Sequence, residues 1–284
     1  MKLSRPNVDI YVPDGMEQQG ALERTTHLSI AAHQDDIELM AYHGVAECFG
    51  RADRWFTGVV VTNGAGSPRA GIYAPYTDLE MQQIRLREQR KAAYVGEYAC
   101  QIQLGYSSGD VKNPPAEAVI EDLVRILEAA HPDVVYLHNL ADKHDTHVSV
   151  SLRALAALRR LSPALRPGKV YGCEVWRDLD WLSDVDKQCL PVSERSNIAA
   201  ALVGVFDSQV SGGKRYDLAA AGRRLANATY YASHATDTET GLTFAMDLTP
   251  LLRDTALAPA EYVCSHIDKF RADVADRLAR FQVK

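Results

Sequence analysis

Two textures alternate along most of the chain. Residues 25–33 are apolar or small and end on His33, which reads as a short buried strand. DIELMAYHGVAECFG follows and reads as a helix ending near Gly50. WFTGVVVTNG is a β-branched strand stopped by Asn63-Gly64. Residues 78–95, with LREQRKAA, carry strong helix formers, and CQIQLGY is a weaker third strand. Pro115 suits the first turn of a helix to Ala130, whose Val119, Leu123, Leu127 and Ala130 recur at helical spacing. DVVYLHN is a fourth strand. Residues 147–160 form a further helix with Val148, Leu152, Leu155 and Leu158 as its apolar positions, and KVYGCEVW is a fifth strand.

Strand followed by helix, repeated, predicts an α/β protein with a mainly parallel sheet flanked by helices. Sites in such sheets lie beyond the carboxyl ends of strands. This singles out the loops that begin at His33, Asn63 and His138. After Trp181 the alternation fades, and only residues 212–232 and 259–281 look helical. The expectation is one domain over 25–284, with a C-terminal elaboration from about residue 182. Residues 1–24 are polar and broken by Pro6, Pro13 and Gly15. They read as an extension lying on the surface or on a partner subunit, which invites a homo-oligomer.

Composition narrows the classes. The 284 residues are 46% hydrophobic and 24% charged, enough for a sizeable core without a structural metal. The net charge of −6 and the absence of long basic runs argue against a nucleic-acid partner. Cys48, Cys100, Cys173, Cys189 and Cys264 are scattered, without Cys-x-x-Cys spacing, and read as small core residues in a reducing compartment. No apolar run has signal-peptide or membrane-span character, so a cytoplasmic protein is expected.

Two of the three loops concentrate metal-binding chemistry. The first is Ala32-His33-Gln34-Asp35-Asp36, and the second runs from His138 to His147 with Asp142, His144 and Asp145 inside it. Zinc accepts imidazole nitrogen and carboxylate oxygen, and a catalytic site keeps three protein ligands plus water. His33 and Asp36, three apart across a turn into a helix, can address one ion, and a histidine of the second loop would complete the set. Such an ion lowers the pKa of its water towards ~7. Asp35 is then available as a proton acceptor. Taken singly, His33 could be structural, and Asp35 and Asp36 could cap the next helix. Their joint occurrence at two strand ends favours the site.

At these residues the sequence resembles the PIG-L/LmbE-like deacetylase superfamily. Its Ala-His-Pro-Asp-Asp-Glu motif is matched by Ala32-His33-Gln34-Asp35-Asp36, and its second His-containing motif by His144-Asp145-Thr146-His147, with Asp142 matching the lead-in. The resemblance implies a Rossmann-like fold and a zinc-dependent N-deacetylase, another divalent ion such as Fe2+ being the alternative. It implies His33, Asp36 and His147 as metal ligands, Asp35 as general base and His144 as the group at the oxyanion. The implied substrate is an N-acylated amino sugar or glycoconjugate. Arg85 and Glu88 fit a family Arg-x-x-Glu pattern near the substrate, with Arg87 as the alternative register. Arg85, His138 and Asp142 are therefore expected in the substrate pocket. Asp207-Ser208-Gln209 resembles a further family segment, with Asp207 in place of its His. Gln34 and Ile37 depart from the motif, and Gln34 is expected to alter the loop and the substrate entrance. Glu174 and Trp176 could contact a sugar or serve the core.

Two rivals differ in class. A dinucleotide-binding enzyme fails because Gly64-Ala65-Gly66 is followed by Arg69 at the third glycine position. A non-catalytic sugar-binding or assembly protein on the same scaffold remains the alternative, and metal content distinguishes it.

Overall fold

The computed structural model describes residues 1–283. Eight strands form one sheet: β1 (Asp9–Tyr11), β2 (His27–Ala31), β3 (Phe56–Thr62), β4 (Cys100–Tyr106), β5 (Val134–His138), β6 (Lys169–Cys173), β7 (Lys187–Pro191) and β8 (Leu242–Asp247). Their order is β1-β4-β3-β2-β5-β6-β8-β7. The five strands from β4 across to β6 run parallel. β1, at one edge, and β8, next to the other, run antiparallel to their inner neighbours, and β7 is antiparallel to β8.

Helices cover both faces, so every residue of β2 and β3 is buried. The period of two divides their side chains: Leu28, Ile30, Val59 and Val61 join the core under one helix layer, while Ala31 and Val60 join the core on the opposite face. The first layer includes helices Glu117–Ala130 and Asp145–Arg160, which bury Leu123, Leu127, Ala154 and Leu158. The second packs helices Asp36–Met40, Tyr42–Cys48 and Asp78–Val95 through Met40, Val45, Ala92 and Ala93.

One topological step positions the site. From β2 the chain winds outward through β3 and β4, then returns to β5 on the other side of β2. Ser29 pairs with Tyr136, so β2 and β5 end side by side. A crevice opens at such a reversal of winding, outside the carboxyl ends of the strands.

Several boundaries differ from expectation. The expected helix after His33 breaks at Ala41 (φ −112°, ψ 19°) into two short helices. The helix expected from Pro115 starts at Glu117, and that expected from 147 starts at Asp145. Residues 1–24 do more than lie on the surface: β1 extends the sheet, and helix Gln18–Glu23 buries Ala21 and Leu22. The C-terminal part supplies helices Tyr216–Tyr230 and Pro259–Phe281 at the expected places, and also the unexpected β7 and β8. Cys264 is exposed, against the expectation of a core thiol. No helix is long and apolar enough to cross a membrane among the described residues.

His27, on β2, is 9% exposed, and its Nδ1 lies 2.9 Å from the Thr26 hydroxyl. Burial, reinforced by the charges of His43 and Arg54, pushes its pKa down to about 4 from 6.5. Between these values the unfolded chain binds the extra proton, so stability falls as pH drops from 6.5 towards 4. His27→Gln is expected to shrink the loss of unfolding free energy between pH 7 and pH 4 by on the order of 2 kcal/mol. Urea denaturation at the two pH values checks this; an unchanged loss would assign the acid sensitivity elsewhere.

Candidate metal centre and active-site cleft

Three imidazole rings crowd round one carboxylate oxygen. Asp36, in the first turn of its helix and 3% exposed, accepts the His33 backbone N–H at 2.7 Å through Oδ2. The same oxygen lies 3.2 Å from His33 Nδ1, 3.3 Å from His147 Nε2 and 3.5 Å from His138 Nε2. His33 Nδ1 and His147 Nε2 face each other at 3.3 Å. One ligand atom from each of His33, Asp36 and His147 falls within 4.8 Å of the others.

This donor set fits a divalent cation. Two imidazole nitrogens and a carboxylate oxygen cannot converge so closely without a proton or a cation among them. The protonation balance says the same. Burial opposes charge on His147, yet Asp36 and Asp142 outweigh it and raise its pKa to about 9. Burial likewise opposes charge on Asp36, but His147, His138 and His33 hold it well below the usual carboxylate range. The site thus stabilises positive charge at the point where the three groups meet. A His-His-carboxylate set is one that zinc accepts.

His138 and Asp142 do not line the cleft, contrary to expectation. His138 is fully buried; its Nε2 accepts the Ala32 N–H at 2.8 Å, and its ring stacks on His147 with centroids 3.8 Å apart. With that nitrogen engaged and burial holding the ring neutral, His138 supports His147 from beneath. Asp142 Oδ2 lies 3.5 Å from His147 Nδ1, an ion-pair contact longer than a good hydrogen bond, and accepts the Trp176 N–H at 3.1 Å. Its Oδ1 accepts the His144 N–H at 2.9 Å. Asp142 therefore orients both histidines and the Trp176 loop.

Asp35 stands beside the triad on the wall of the cleft. Its backbone has φ 84° and ψ −30°, a left-handed conformation uncommon outside glycine, and its N–H donates to Gln89 Oε1 at 3.2 Å. Arg85, 2% exposed, places Nη1 3.3 Å from Asp35 Oδ2 and donates from Nη2 to the Gln34 carbonyl. Arg85 does border the cleft, but its charge is engaged by Asp35. Arg87, the alternative register, is exposed and bonds its own helix. Burial raises the Asp35 pKa to about 7, with Arg85 opposing and Asp36 reinforcing the rise.

Gln34 turns away from the cleft. It is 2% exposed, and its amide donates to the Thr62 carbonyl and to Gln103 Oε1. It thereby ties the first loop to β3 and β4. Gly64 (φ 70°) permits this, because a Cβ there would stand 2.5 Å from Gln34 Oε1.

The cleft measures about 460 Å³. His144 lines it, edge-on to His33 at 5.1 Å and stacked on His147 at 4.5 Å, and burial keeps its pKa below the usual value. Trp176 forms another wall, with Lys214 Nζ 4.9 Å above its ring and Tyr216 edge-on at 6.2 Å. Glu174 is structural: it accepts from Asn227, Phe244 N and Leu179 N. Lys112, Gln209, Lys214 and Tyr216 were not picked out as pocket residues from sequence. The Asp207-Ser208-Gln209 segment held the available signal. Ser208 donates its N–H and hydroxyl to Glu88 at 2.7 and 2.6 Å, which anchors Gln209 in the cleft wall.

Comparison with known proteins agrees with this geometry. A family described as PIG-L, GlcNAc-PI de-N-acetylase, matches residues 28–158, a span holding both histidine-containing loops. No curated protein sequence matches significantly. Among solved structures, a 4-carboxy-2-hydroxymuconate hydratase from Pseudomonas putida is 17% identical, with a TM-score of 0.60 over 79% of this chain and 96% of its own. The N,N'-diacetylchitobiose deacetylase from Pyrococcus horikoshii is 15% identical, with a TM-score of 0.59 over 78% of this chain and 83% of its own. A deacetylase of the teicoplanin biosynthesis pathway is 16% identical, with a TM-score of 0.56 over 79% and 98%. These likenesses establish a shared fold. Residues 28–158, a little under half of the chain, match the PIG-L family.

Proposed function

We propose that this protein is a zinc-dependent N-deacetylase that removes an acetyl or other small acyl group from an amino sugar or glycoconjugate. The carrying observation is the division of labour between adjacent carboxylates. Asp36 is committed to the His33–His147 cluster, while Asp35 is held apart from it by Arg85 at the cleft wall. The likeness to the GlcNAc-PI de-N-acetylase family and two of the fold neighbours, both deacetylases, support the choice of reaction.

His33, Asp36 and His147 would hold the ion, which when bound would supply Lewis-acid activation of water and of the amide carbonyl. Asp35 takes the proton of the attacking water, for which a pKa of about 7 is well matched. Arg85 keeps its carboxylate aimed into the cleft. His144, neutral near pH 7, donates a hydrogen bond to the oxyanion of the tetrahedral intermediate. Asp35 then returns the proton to the leaving amine, so acetate and free amine are the products. Trp176 and Tyr216 offer aromatic surface to a sugar ring.

Asp35→Asn is expected to lower kcat for acetate release from N-acetylated amino sugars at least ~10²-fold, on the scale of losing a general base, with zinc retained at one per chain. Assay of the purified variant against wild type checks this, and near-full activity would remove Asp35 from the proposed role. Asp142→Asn is expected to weaken zinc affinity by ~10–100-fold without moving the other ligands, since it orients His147 from behind. Competition with a chelating dye measures it; unchanged affinity would make the Asp142 contact incidental.

A further inference from the structure

A larger and more apolar concavity lies away from the cleft. It measures about 660 Å³ and runs between Leu152 and Trp181 on one side and Val263, Ile267 and Phe270 of the last helix on the other. That helix, Pro259–Phe281, buries only Val263 and His266. From Ile267 onward every described residue is exposed. About 15 residues, roughly 22 Å of helix, are therefore exposed, with Lys269 Nζ 2.9 Å from Asp186 as a tie to the body.

The free part is not polar all round. Ile267, Phe270, Val274, Leu278 and Phe281 are spaced by three or four residues, which puts them on one face. They are 43, 42, 39, 65 and 77% exposed. Together they show on the order of 500 Å² of apolar surface, at the upper end of what a monomer carries. The stripe is continuous with the groove, because Ile267 and Phe270 belong to both.

The stripe is also close to a palindrome. About Ala272, Val263 stands level with Phe281, Phe270 with Val274, and Ile267 with Leu278 to within one residue. A two-fold contact between identical surfaces requires such self-complementarity. The charges beside the stripe raise no barrier to it: Asp268 pairs with Arg271 at 3.4 Å and Asp273 with Arg277 at 2.9 Å, leaving the rim balanced.

We propose that helix Pro259–Phe281 pairs antiparallel with the same helix of a second copy, the two-fold axis passing at the level of Ala272. The distal half of each helix then fills the groove of the other copy, Phe281 against Val263 and Leu278 against Ile267. The stripe supplies on the order of 500 Å² of the ~800 Å² per partner that stable interfaces bury, and the groove walls of Leu152 and Trp181 add to it.

Sedimentation velocity on the full chain across a concentration series tests this. Wild type is expected to be dimeric at micromolar concentration. Leu278→Glu and Ile267→Lys, each alone, are expected to raise the dimer dissociation constant at least ~100-fold, with helix content by circular dichroism unchanged. Mixing the two variants is expected to restore a heterodimer, because the antiparallel register brings the two new charges together and leaves the other Leu–Ile contact intact. A wild type that stays monomeric, variants that dimerise as wild type does, or a mixture that fails to recover would each overturn the proposal.

Discussion

The buried carboxylate of Asp36 is the constraint on which the site depends. A charge 3% exposed is costly unless it is fully partnered, and here its partners come from two strand ends far apart in sequence. His33 approaches from β2, and His138 and His147 from the end of β5 and the helix beyond it. The chain must reverse its winding between β4 and β5 for these elements to meet. The His33 and His147 ring nitrogens within 3.3 Å of that oxygen make a cation the natural centre of the cluster.

Around that centre the side chains form successive supports. Asp142 and His138 hold His147 from behind, and Arg85 holds Asp35 to one side. Gln89 and Gln34 fasten the loop between them to neighbouring elements, Gln89 also reaching Glu38. The backbone of Asp35 is unfavourable in isolation and persists because Gln89, Arg85 and the turn into the next helix over-determine it. Strain and desolvation are thus concentrated at two adjacent carboxylates with different partners, Asp35 on Arg85 and Asp36 on the histidines.

Much of this was legible in the sequence, for identifiable reasons. The parallel core announced itself through β-branched runs bounded by turns, and strand-end logic pointed to His33 and to the loop from His138. His33, Asp36 and His147 met as expected. His138 and Asp142 were misplaced because sequence cannot tell whether a loop side chain points into a cleft or under it; the answer lay in the Ala32 N–H and the His147 ring, which needed partners. Arg85 borders the cleft, but no sequence pattern reveals its ion pair with Asp35. β7 and β8 escaped notice because they pair antiparallel at and beside an edge, across about 50 intervening residues, and β7 ends on a proline. Lys214, Gln209 and Tyr216 come from that same irregular region, where no periodic pattern announces a wall.

The fold alone does not select the reaction, since a hydratase and deacetylases share it. What would select deacetylation is a metal held by His33, Asp36 and His147. The most direct test is an anomalous difference map, at the zinc absorption edge, from crystals of the zinc-loaded protein. The account predicts one peak within coordination distance of His33, Asp36 and His147, with Asp35 outside the ligand set. No peak at these residues after loading, or coordination by His138 in place of His147, would contradict it.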